Sequence, residues 1–306
     1  MIHPVVRILS MLGALALVSP PAPAAAQGNQ GQPAPKVAPA GGCPGEPVPF
    51  YRCAMEKAKT YSPLRTASGH PDLQGYWAHG RQNFDLETHP ETYDMRAETT
   101  AIVDPADGKI PYQPWAAAKR DDLRAHRADP PSLEYLNPNT QCFLRGAVPQ
   151  IYPPFPLQIV QTPTHVVILQ EQNHAFEIVP IDGRPHVGPD LKLWMGDSRG
   201  HWEGNTLVVE TTNLIARKVA AGRNWLDQNG DFYTDKVVQM QRFIPVDADT
   251  LIYEATITDP RCLRSRGSWR CLSGARKTKT LSCWSLPATK GTRQCHYRWT
   301  VKCRCA

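Results

Sequence analysis

The chain has 306 residues, with 34 Lys and Arg against 28 Asp and Glu, 30 Pro and nine Cys. Twelve of the basic residues and none of the acidic ones fall in 261–306, so the formal charge of +6 joins a mildly acidic body to a strongly basic tail. A basic pI therefore does not point to a nucleic acid or another anionic partner, because the field behind that argument comes from the tail alone. No apolar run approaches the length of about 20 residues that a spanning helix needs.

Residues 1–26 read as a secretory signal. Arg7 supplies the positive start, Ile8 to Val18 the short apolar stretch, and Ala24-Ala25-Ala26 the small residues before cleavage. Residues 27–42 are Gly, Pro, Gln and Ala with too few apolar groups to offset chain entropy, which predicts a disordered linker. Export permits disulfides. Cys43 and Cys53, ten apart around a Pro-rich loop, are placed to close a small ring, and Cys142 has no obvious partner before residue 261.

From 43 to 140 the chain is loop-rich. Pro71 to Trp77 reads as a turn entering a first strand. Pro114 to Arg127 is the one good helix candidate, with Pro in its first turn, Ala and Leu inside it, and Pro130-Pro131 beyond it. From Leu157 the signal is β: Leu157–Gln161, His165–Glu171 and His174–Pro180 are split by Thr-Pro and Gln-Asn turns. Thr206–Thr211 follows a Glu203-Gly204-Asn205 hairpin turn, and Lys236–Ile244 and Thr250–Thr258 come next. In the last of these Leu251, Tyr253, Ala255 and Ile257 alternate onto one face. Helical crossovers are absent, so the fold class is mainly β: an antiparallel meander, closed as a barrel or packed as a sandwich, in one domain over 43–260.

Charge, Gly and aromatic residues concentrate between Ile181 and Asn205. Asp182, Arg184 and His186 form one cluster; Asp197, Ser198, His201, Trp202 and Glu203 form the other, with Trp194 between them. Carboxylate and imidazole pairs suit general acid–base chemistry when within hydrogen-bond reach, and a few polar groups beside an aromatic wall suit ligand recognition. Asp-Gly and Gly-Asn are also ordinary turn formers, and Ser198 and Asp197 could simply cap a turn. The word around Ser198 is Gly-Asp-Ser-Arg-Gly, without the strand–turn–helix setting of a nucleophile elbow. His165, His174, His186 and His201 lack metal-ligand spacing. Asp227, Asn229 and Asp231 resemble the start of a calcium loop but lack its sixth-position Gly and closing Glu, so an Asn-Gly turn is the better account. No phosphate-binding Gly loop or dinucleotide fingerprint appears, and no cofactor or metal is expected.

The tail has its own signature. Six of nine Cys lie beyond 260, and neither helix nor strand periodicity runs through it. Reading the third base of each codon with the first two of the next gives V-F-T-K-P-W after Arg261, and C-H-E-G-N after Cys283, within the permitted synonymous bases. We therefore expect a shift of reading frame near Pro260 and a disordered 261–306.

The words Asp182-Gly-Arg-Pro-His186 and Gly196-Asp-Ser-Arg-Gly-His-Trp-Glu-Gly-Asn-Thr-Leu-Val-Val-Glu-Thr211 resemble those of a group of secreted bacterial β-rich proteins. Members begin with a Pro-Asp-Leu-x-Gly-x-Trp word like Pro71–Trp77, carry a Cys and a Pro-rich stretch like Cys142–Pro156, and end with Thr-x-Pro-Trp and Cys-His-Glu-Gly-Asn words, here found only in the shifted frame. The resemblance covers about residues 71–260 and implies no activity. Two positions depart from it: Glu177 stands where members tend to have Arg, and Gln241 where they tend to have Glu.

These readings favour an envelope protein holding a small, largely apolar ligand in a barrel mouth or inter-sheet groove. Trp194 and Trp202 would be walls, and Arg184, His186, Asp197, Ser198, His201 and Glu203 polar contacts. The second reading is a cofactor-free hydrolase or lyase with His201 or His186 as base, oriented by Asp197 or Asp182; the third is an interaction module. The oligomeric state is left open.

Overall fold

The computed structural model describes residues 42–79, 84–95, 97–141, 143–215, 224–264 and 268–278. The expected leader, nearly all of the expected linker, Cys142 and residues 279–306 lie outside them. No helix among the described residues is long and apolar enough to cross a membrane.

The molecule is mostly β. In chain order come α1 (Pro47–Thr60), β1 (Gly75–His79), β2 (Ile102–Asp104), α2 (Pro114–His126), α3 (Ala147–Ile151), β3 (Leu157–Gln161), β4 (His165–Gln170), β5 (Phe176–Pro180), β6 (Asp197–Glu203), β7 (Thr206–Thr212), β8 (Val238–Pro245), β9 (Thr250–Thr258) and β10 (Ser268–Thr278). The sheet runs β5-β4-β3-β1-β10-β9-β8-β7-β6, with β2 paired to β10 beside that path. Two meanders, β3–β5 and β6–β10, are thus joined through β1, whose Tyr76 lies opposite Gln158 on one side and Thr278 on the other.

Every pairing along this path is antiparallel. Eight reversals leave the two end strands, β5 and β6, pointing the same way, so they meet as a parallel seam in a nearly closed barrel. The approach is close. A Cβ on Gly200 of β6 would lie 2.6 Å from Val179 Cγ1 of β5 and 3.0 Å from Ile181 Cγ2, and only glycine leaves room for that contact.

Alternation fills the interior. Ile159, Val166, Ile168, Val179, Leu207, Val209, Phe243 and Tyr253 are buried in one core, where apolar burial is worth about 25 cal/mol per Å². α3 closes one end: the Val148 amide donates to Gln239 Oε1 at 3.2 Å, and all five of its residues are buried. On the outer face of β8 and β9 a second cluster joins Cys43, Phe50 and Ala54 to Ile244, Val246 and Ile252. There a Cys43–Cys53 disulfide ties α1 to the preceding turn.

The structure departs from the sequence expectations in three places. Among the described residues three α-helices form, not one; α2 is the expected element, while α1 opens on Pro47 and Pro49 with a mixed polar pattern, and is held by the disulfide and its packing. Residues 197–203 form strand β6 and not a connection. Their Gly and charged residues look like loop, but β7 pairs with them residue for residue from Asp197↔Thr212 to Glu203↔Thr206. Finally, the domain does not end at 260, and 268–278 is not disordered. β10 lies between β1 and β9, with Cys271 and Ala275 buried opposite Ala255 and Leu251. Ala275 lies opposite the larger Leu251, while Cys271 lies opposite the equally small Ala255.

Candidate functional site at the β5–β6 seam

A cleft of about 560 Å³ opens at the start of the seam. Leu144, Ala175, Phe176, Ile178 and Met195 give it apolar walls; Asn173, His174, Glu177, Asp197 and Ser198 give it polar groups. β5 supplies Phe176, Glu177 and Ile178 and β6 supplies Asp197 and Ser198, because strands that run parallel without a ladder can separate at one end while Val179 and Gly200 stay in contact further along.

Inside the barrel, Glu177 is the central group. Its Oε1 accepts from Ser198 Oγ at 2.5 Å, Gln241 Nε2 at 2.9 Å and Thr211 Oγ1 at 3.3 Å. Tyr253 OH donates in turn to Gln241 Oε1 at 3.0 Å. The other oxygen, Oε2, is buried with no hydrogen-bond partner. Burial pushes the carboxyl up, and the three neutral donors only partly oppose it. A buried carboxylate oxygen without a partner is costly; this one belongs to a residue that lines the cleft.

Asp197 and Ser198 are neighbours on β6 with opposite duties, since successive strand side chains point to opposite faces. Ser198 faces in, toward Glu177 and Thr211. Asp197 faces out and accepts from the Val187 amide at 3.0 Å and Arg199 Nη1 at 2.7 Å, with His186 Nδ1 at 2.8 Å. Its burial opposes ionisation, but the Val187 amide, His186 and Arg199 outweigh that and hold the carboxyl below the ordinary range. His186 Nε2 meets Glu210 Oε1 at 3.1 Å, so both ring nitrogens face carboxylates. Ser198 and His186 thus lie on opposite faces of the strand and form no triad.

The remaining sequence-predicted residues are scattered. Asp182 and Arg184 pair with each other on the surface. His201 is exposed and shares a 3.2 Å contact with Glu203, which also accepts from Arg242 at 2.7 Å. No contact brings His201 to Asp197 or Asp182. Trp202 lies four residues from Ser198, about 13 Å along the strand; it stacks on His70 with centroids 5.3 Å apart and packs on the core. Trp194 stacks on Phe143 at 5.3 Å, bordering the cleft beside Leu144 and Met195 without lining it.

Sequence reasoning did not find Glu210, Arg199 or Thr211, which look like ordinary strand residues. Glu177 and Gln241, the two positions set apart in the sequence analysis, touch each other.

Among the described residues one cluster could hold a cation: Asp85, His89 and Glu98 bring a ligand atom each to within 4.8 Å of one another. Its donors are already engaged. Glu98 accepts the Phe84 and Asp85 amides at 2.8 Å, and His89 contacts Pro90 O and Asp85 Oδ2 at 2.8 Å. Asp227 likewise turns inward, accepting the Asn229 and Asp231 amides at 2.9 and 3.1 Å, as the turn reading requires. No family model, curated protein or solved structure matches this chain.

Proposed function

We propose that this is an exported protein that binds a small, largely apolar molecule in the β5–β6 cleft. The observation that carries the reading is the cleft itself: five apolar side chains around a few polar groups, in a volume of about 560 Å³ that falls within the span usual for small-molecule sites. Export rests on the leader-like residues 1–26 and fits the Cys43–Cys53 disulfide. Membership of the resembling secreted group is part of the same proposal.

A hydrolase or lyase using His186 and Asp197 is less well supported. A general base needs one ring nitrogen free to take a proton from substrate, and Asp197 and Glu210 occupy both. A thermal-shift screen of apolar metabolites against the full chain tests the binding reading. A ligand should raise the melting temperature with concentration by mass action; no shift at saturation by any apolar compound would count against it.

A further inference from the structure

We propose that the cleft selects ligands carrying a protonated amine or guanidinium on an apolar body, with the cationic head donating to Glu177 Oε2. The inference rests on the binding reading above and adds the head group.

Two features meet at the site. The first is the unpartnered Oε2 of Glu177, on a residue only 3% exposed that lines the cleft. Oε1 is already served by Ser198, Thr211 and Gln241, all neutral. Oε2 is itself covered; an N–H donor that reached it from the cleft would complete it, and a cation would add the charge-assisted strength that a neutral donor lacks. Asp197, the other carboxylate of the lining, is already matched by Arg199 and His186, so the unmet acceptor is Glu177.

The second feature is the lip. Phe176 and Ile178 are 57% and 52% exposed on the outer face of β5 while also lining the cleft, and Leu169, opposite Phe176 on β4, is 40% exposed. An apolar body lying over this lip while its head reaches Glu177 would cover both. An anionic head would meet two carboxylates, and an alcohol would gain a hydrogen bond without the charge.

The test uses the full chain and three probes of equal tail length: octylammonium, octanol and octanoate, followed by calorimetry and thermal shift. We expect octylammonium to bind about ten-fold tighter than octanol, the factor a charge-assisted hydrogen bond supplies, and octanoate to bind weakest. Glu177→Gln keeps the size and should bring octylammonium down to the affinity of octanol. Should that variant misfold, Ile178→Lys at the exposed lip serves instead: its cation should weaken octylammonium much more than octanol. Octanol binding as tightly as octylammonium, or the preference surviving Glu177→Gln, would overturn the head-group assignment and leave the cleft reading standing. Failure of all three probes to bind would overturn both.

Discussion

Gln241 donates its side-chain amide to Glu177 at 2.9 Å across the barrel interior. The orientation is fixed from behind, because Tyr253 OH donates to Gln241 Oε1 at 3.0 Å and leaves only the NH₂ to face the acid. Glu177 and Gln241, the two positions set apart in the sequence analysis, therefore share one contact. An Arg at position 177 with a Glu at position 241 would put an ion pair in the same place. We expect Glu177→Arg and Gln241→Glu each to destabilise the chain by about 3 kcal/mol or more, because each leaves a buried charge unmatched. The double variant should recover a large part of that loss, with a coupling of about 2 kcal/mol by urea denaturation. Simple additivity of the two single effects would show that the positions do not exchange roles.

Stability should fall as pH rises through neutrality. Burial, helped by the Glu98 charge, pushes the Asp85 carboxyl up to about 7, and burial and mutual repulsion push Asp227 and Asp231 up as well. A raised carboxyl binds its proton in the native state where the unfolded chain, at about 3.9, has lost it. Its contribution is therefore fully present below about pH 4 and lost as pH climbs through 7. For Asp85 alone this is on the order of 4 kcal/mol. The urea midpoint should be higher at pH 5 than at pH 8. Asp85→Asn should flatten that slope, since the amide can still accept from the Gln228 N–H and donate to His89 Nε2. A midpoint that rises with pH would contradict the assignment.

At Gly200 the seam is tight. Gly200→Ala places a methyl 2.6 Å from Val179 Cγ1, and two strands held there by packing alone must part. Overpacking of this kind costs about 1–3 kcal/mol. Val179→Ala in the same chain should return part of it. A Gly200→Ala variant as stable as the parent would mean the seam is already open.

Removing the Cys43–Cys53 bond frees a ten-residue separation. Loop-closure entropy alone makes such a cross-link worth about 2–3 kcal/mol, and α1 depends on it for its place over Ile244 and Ile252. Cys43→Ser with Cys53→Ser should lower the melting temperature by several degrees. The same should follow on adding reductant to the parent chain. Equal melting with and without reductant would indicate that the bond adds nothing.

Which parts of this were legible from the residues follows from their period. β9 was readable because Leu251, Tyr253, Ala255 and Ile257 alternate without interruption, and α2 because Pro, Ala and a Pro-Pro stop frame it. β6 was not, since Asp197, Arg199, His201 and Glu203 are its outward positions, and Ser198 and Gly200 are too small to signal a core. The cleft was only half visible. Asp197 and Ser198 were singled out for their chemistry and do line it, but Glu177 reaches Ser198 through a seam between strands twenty residues apart, and no local pattern records that seam.

β10 offers the sharpest check on the tail. It is a central strand with β1 and β9 on its two sides, so its loss would leave both with unpaired backbone groups. A chain stopped after Pro260 should therefore aggregate or lose its β circular dichroism, whereas one stopped after Thr278 should stay folded. The register sets what any residues in this place must satisfy: small inward side chains opposite Leu251 and Ala255, as Ala275 and Cys271 now are. Sequencing the gene across codon 260 then decides which residues meet that demand in the cell. A shifted frame predicts that the restored chain melts higher than this one, because its strand evolved with these partners. A soluble, β-rich product ending at 260 would instead show that the sheet closes without a tenth strand.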